Sequence, residues 1–106
     1  MTISTHVLDA VAGAPAAGVP VTLYDTAHEV LAEGVTDDDG RIAHLADELP
    51  RGVYRLRFDT AAFFSARNMP AFYPEIVIAF EITDAAAHYH VPVLLSPYAY
   101  STYRGS

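Results

Sequence analysis

Five histidines and six arginines stand in a chain of 106 residues that contains no lysine and no cysteine. Those absences remove Schiff-base chemistry, thiol nucleophiles, disulfides and thiolate metal sites. Imidazole remains for proton transfer near neutral pH, and the planar guanidinium fork remains as the permanent cation. His88 and His90 are two apart, so on a strand they share a face. Such a pair is either part of a zinc site or a general base with a neighbour. Zinc needs a third ligand and an open position, and no third His or carboxylate is obviously placed for it. His6 lies mid-way along a strand-like run, with Ser4 and Leu8 on its own face. Arg41 follows the acidic turn Asp37-Asp38-Asp39-Gly40, where it is either a surface ion-pair partner or an anion clamp. His28 and His44 fit turn or exposed positions and carry no site reading.

The end of the sequence adds a second cation. The run from Ser96 to Ser106 is rich in strand-forming aromatics and Thr. Chain ends usually fray. A strand running to the last residue would instead hold the Arg104 guanidinium beside the carboxylate of Ser106, which is material for a site.

Composition bounds what such a site can serve. The net charge is −7, and an acidic chain without a basic patch argues against nucleic acid. The first residues, Met1-Thr2-Ile3-Ser4-Thr5-His6, lack the basic and apolar regions of a signal peptide. No apolar stretch approaches membrane-spanning length, so no membrane partner is expected and the cytoplasm is the expected compartment. One domain over residues 1–106 is expected, with a single core but no deep enclosed pocket. A sizeable site then belongs in a cleft between subunits, and 52% hydrophobic residues suggest a buried subunit interface.

The elements that must position these residues read as short strands punctuated by turns, the signature of a sandwich. Strands are expected at Ile3 to Asp9, Val19 to Tyr24, Glu29 to Glu33, Arg41 to Leu45, Val53 to Asp59, Glu75 to Ile82, His88 to Leu95 and Tyr98 to Arg104. In the fifth, Tyr54, Leu56 and Phe58 alternate with Val53, Arg55 and Arg57, giving one apolar face. The sixth is nearly continuously apolar and is expected to be buried on both faces. Thr60 to Asn68 is the one helix, capped by Asp59 or Thr60 and ended by Pro70. The fold class is all-β: a two-sheet sandwich of about eight strands and one short helix.

Taken in order, Ser4-Thr5-His6-Val7-Leu8-Asp9, Gly18-Val19-Pro20-Val21, Asp39-Gly40-Arg41, Phe72-Tyr73-Pro74-Glu75, His88-Tyr89-His90-Val91-Pro92 and Tyr103-Arg104-Gly105-Ser106 span nearly the whole chain. In this order they resemble the 5-hydroxyisourate hydrolases, transthyretin-like enzymes of urate breakdown. The resemblance implies a transthyretin-like sandwich that assembles as a homotetramer with its sites at subunit interfaces. It implies hydrolysis of a ring amide of 5-hydroxyisourate, giving 2-oxo-4-hydroxy-4-carboxy-5-ureidoimidazoline, with no metal or organic cofactor. The family's catalytic positions fall on His6, Arg41 and His90, and its substrate-binding end on Tyr103, Arg104, Gly105 and Ser106. The related thyroid-hormone carriers share the Ser96-Pro97-Tyr98 region but lack the catalytic His and Arg and the four-residue end. A non-catalytic carrier of a small ligand is the alternative reading. The implied reaction needs a base to take a proton from water, a cation or donor for the charge growing on the carbonyl oxygen, and a proton for the leaving ring nitrogen. His6 and His90 are expected to share the proton handling, and Arg41 and Arg104 to bind the ring and its carbonyls. Ser106 is expected to orient Arg104 or a His.

Overall fold

The computed structural model describes residues 1–106, as nine strands and one helix. In chain order they are β1 (Thr2–Asp9), β2 (Ala14–Pro15), β3 (Pro20–Tyr24), β4 (Val30–Val35), β5 (Arg41–Asp47), β6 (Gly52–Phe58), α1 (Thr60–Ser65), β7 (Ile76–Ile82), β8 (Tyr89–Ser96) and β9 (Ala99–Thr102). Two sheets form the sandwich. One runs β4-β3-β6-β7; the other runs β2-β1-β8-β9, with β5 also paired to β1. Most pairings are antiparallel. β1 and β8, the central pair of the second sheet, run parallel, from Ile3 opposite Tyr89 to Asp9 opposite Leu95.

Period-two alternation builds the core. Ile3 and Val7 of β1 and Val91, Val93 and Leu95 of β8 turn inward from one sheet. Val21 and Leu23 of β3, Leu56 and Phe58 of β6, and Ile76 and Ile82 of β7 meet them from the other. Because β1 and β8 commit one face to this core, their other residues must face outward. Ser4, His6, His88 and His90 are therefore gathered on the outer face of the second sheet.

Three expectations change. The helix is shorter than Thr60 to Asn68: α1 ends at Ser65, and Asn68, at φ 54°, takes the left-handed turn that reverses the chain. Its N-cap is Asp59, whose carboxylate accepts from Ala62 N at 3.0 Å. The apolar β7 is not buried on both faces. Only one sheet lies against it, and Val77 is 46% exposed. β9 stops at Thr102, so no strand runs to Ser106; Gly105 instead forms an isolated bridge to His90.

Candidate active site

β1 and β8 supply three of the site residues through their register. Ser4 lies directly opposite His90, and His6 opposite Pro92 one pleat further along. The acidic turn supplies the fourth. The Asp37 carboxylate accepts from the backbone of Asp39 and Arg41, each at 2.9 Å, and Val7 N donates to Gly40 O at 2.7 Å. Gly40 is required here. Its φ is 73°, and a Cβ would strike the Val7 carbonyl oxygen. This turn starts β5 with Arg41 opposite His6, the spacing at which cross-strand side chains meet.

The β1–β5 register shifts between Ile3 and Thr5, leaving Ser4 without a direct partner on β5. Bulges of this kind bend a strand away from its neighbour. A cleft of about 280 Å³ opens at that place, lined by Ser4, Arg41, His88, His90 and Ser106 with Thr5 and Ala43. A larger hollow of about 420 Å³ beside α1 is walled by Phe64, Met69, Pro70 and their neighbours and has no acid–base group apart from Tyr73.

Within the cleft, Ser4 Oγ lies 2.7 Å from His90 Nδ1 and 3.0 Å from His88 Nε2. The two rings are nearly parallel, with centroids 6.5 Å apart. Both nitrogens converge on one hydroxyl, so neither offers that lone pair to a metal while the contact holds, and no set of three His, Asp or Glu side chains converges as metal ligands. His90 is held below the ordinary imidazole value of 6.5, first by burial and then by the charges of Arg41, His6 and His88. It is therefore neutral, with a free lone pair, at neutral pH. Arg41 makes no ion pair with the acidic turn; the arginine ion pair of the chain is Arg57–Glu75, and His44 Nε2 is hydrogen-bonded to the Asp47 carboxylate.

The last four residues divide between two places. Gly105 N donates to His90 O at 2.9 Å, and a Cβ at this position would overlap the His90 ring. Only glycine lets the backbone lie against that imidazole, and Ser106 then reaches the cleft wall. Arg104 turns the other way. Its guanidinium lies 4.7 Å from the centre of the Tyr89 ring. With Tyr103 it lines a second hollow between the sheets, beside Ile78, Phe80 and Thr102, and His90 is the one residue that lines both this hollow and the cleft. The chain thus brings Arg41, His90 and Ser106 together, with His6 beside them, and does not bring Tyr103 or Arg104 into the same cleft. Ser4 is the site residue that sequence reasoning left without a role, and His88 was read only through its pairing with His90. The signal for Ser4 was its place two residues before His6 on one face, legible only once the β1–β8 pairing is known.

The sequence profile of the HIUase/Transthyretin family matches residues 3–105. The chain belongs to the HIUase/transthyretin family. It is 46% identical over 109 residues to the 5-hydroxyisourate hydrolase of Salmonella dublin, covering 98% of this chain and 80% of that protein. The structure of Klebsiella pneumoniae 5-hydroxyisourate hydrolase superposes with a TM-score of 0.93 at 42% identity, over all of both chains. Sea bream transthyretin in complex with thyroxine superposes almost as well, with a TM-score of 0.92 at 32% identity, covering 99% of this chain and 95% of that one. Within this family the fold does not separate hydrolase from carrier, so the side chains of the cleft must.

Proposed function

We propose that this protein is a 5-hydroxyisourate hydrolase, which opens the six-membered ring of its substrate by adding water across a ring amide. The observation that carries the reading is the shared cleft of His90, Arg41 and Ser106 in a chain 46% identical to a 5-hydroxyisourate hydrolase. His90, kept neutral by burial and by Arg41, acts as the base. It takes a proton from water as the water oxygen bonds to the carbonyl carbon. Arg41 stabilises the charge that develops on the carbonyl oxygen. The C–N bond then breaks, and the ring nitrogen leaves with the proton returned from imidazole. His6, opposite Arg41, helps to hold the ring and its protons. Arg104 and Tyr103 serve the substrate from outside the single-chain cleft.

That last role accords with a homotetramer whose sites lie between subunits. Two features support it. β7 and β9 are edge strands with no further partner in their sheets. Large apolar side chains also stand in solvent along this side, with Tyr100 43% and Tyr103 58% exposed. Exposed apolar surface of this kind marks an interaction site.

The transthyretin likeness favours one other reading, a carrier of a small aromatic ligand. A single assay separates the two: the ultraviolet decay of 5-hydroxyisourate, made in place from urate, with and without the protein and with and without a chelator. Chelator-resistant acceleration is expected. Thyroxine binding without acceleration would establish the carrier instead.

A further inference from the structure

The contact of Ser4 with two imidazoles does more than fill space. A serine hydroxyl has one hydrogen to give and can accept from the other side. Ser4 Oγ is within bonding distance of both His90 Nδ1 and His88 Nε2, so the three groups form a directed chain. If Ser4 gives its hydrogen to His88, it accepts from His90, and His90 carries its one proton on Nδ1. If the chain runs the other way, the His90 proton is on Nε2, leaving no lone pair free to act as a base.

Arg41 chooses between the two directions, but only while Ser4 Oγ is there to accept from His90 Nδ1–H; without it a half-buried Nδ1–H would have no partner, and the proton would move to Nε2 on the open side. Arg41 shares the cleft with His90, and a permanent cation there favours the tautomer that turns a lone pair, not an N–H, toward the open side. The other groups facing His90 are His6 on β1, His88 on its own strand and Ser106 from the chain's last residues. Burial differs along the chain of contacts: Ser4 is 6% exposed, His90 is half-buried and His88 is exposed. A positive charge is therefore better solvated on His88 than on His90.

We propose that Ser4 and His88 are positioning residues that fix His90 as the Nδ1–H tautomer and draw off its second proton during the reaction. This proposal rests on the hydrolase reading. As His90 Nε2 takes a proton from the attacking water, the Nδ1 proton passes to Ser4 Oγ and the Ser4 hydrogen passes to His88 Nε2. The water oxygen bonds to the carbonyl carbon at the same time. His90 is now neutral with its proton on Nε2, and the charge rests on His88 at the surface. When the C–N bond breaks, the ring nitrogen takes the Nε2 proton and the two relay protons return to their starting atoms. No proton is gained or lost, and the base has become the acid without a lasting imidazolium beside Arg41.

The test uses the full chain with labelled histidines. Imidazole nitrogen resonances near neutral pH should show His90 as the Nδ1–H tautomer in the wild type and in Ser4→Thr, and as the Nε2–H tautomer in Ser4→Ala. In turnover of 5-hydroxyisourate, Ser4→Ala should lower kcat about tenfold or more with KM little changed, as loss of an assisted proton transfer does, and Ser4→Thr should restore it. His88→Gln is a surface change whose side-chain carbonyl still accepts from Ser4. It should keep the Nδ1–H tautomer but lose kcat, because Gln cannot take the charge. The same tautomer in wild type and Ser4→Ala would overturn the proposal, as would unchanged kcat in His88→Gln. A wild type with the Nδ1–H tautomer but no turnover would remove the hydrolase reading and leave the tautomer control standing.

Discussion

Replacing Gly105 by Ala should damage the site through one contact. Gly105 does not have a positive φ, so alanine meets no backbone strain and its effect is steric. The new methyl would overlap His90 Cδ2 and come within 3.1 Å of Pro92 Cγ. Carbon atoms settle at about 3.5–4.0 Å, so relief requires the imidazole or the Gly105 backbone to move by roughly 1 Å. If the ring moves, Nδ1 leaves Ser4 Oγ, now 2.7 Å away. If the backbone moves, the 2.9 Å bond from Gly105 N to His90 O is lost and Ser106 leaves the cleft. Misplacement on this scale lowers rate by about 100-fold. Stability should fall by no more than about 1 kcal/mol, the worth of one backbone hydrogen bond, which lowers Tm by roughly 4–8 °C in a domain of this size. The assay is initial-rate decay of 5-hydroxyisourate beside a thermal melt of the same sample. Wild-type kcat in a folded Gly105→Ala protein would refute the argument that the chain end acts by fixing His90.

Other consequences can be checked separately. Arg41→Gln should lower kcat by about 100- to 1,000-fold, the effect of removing one oxyanion donor, with an unchanged far-ultraviolet spectrum. The rate should fall on the acid side as His90 protonates, with its midpoint below 6.5 because burial and Arg41 depress that group; a pH profile of Arg41→Gln should show the limb moved to higher pH. The same depression fixes the sign for stability: below pH 6.5 the unfolded chain binds a proton that folded His90 resists, so denaturant melts should show His90 contributing less stability as pH falls through that region. Leu56→Ala, at a position with 0% exposure, should lose about 2–5 kcal/mol in a denaturant melt.

Much of this was legible in residue order. The alternation of Tyr54, Leu56 and Phe58 gave the buried face of β6, and the Asp-rich turn gave the seat of Arg41, because both depend on local periodicity and turn chemistry. Ser4 was not legible as a site residue. Its contact with His88 and His90 spans more than eighty positions and exists because β1 and β8 pair in parallel, which no local pattern specifies. The separation of Arg104 from Arg41 was hidden for a related reason. A strand continued to Ser106 was expected to hold Arg104 beside the terminal carboxylate. β9 instead ends at Thr102, and the chain returns to β8 only at Gly105. The exposed second face of β7 is a third case, since apolar composition alone does not say whether one layer or two will cover a strand.

The most direct test of the account is turnover of 5-hydroxyisourate by the wild type beside His90→Gln, with melts of both. Chelator-resistant acceleration by the wild type is expected, with loss of at least about 100-fold in the variant and little change in Tm. Equal turnover by the two proteins would contradict the assignment of His90 as the base, and no turnover by a folded wild type would contradict the hydrolase itself.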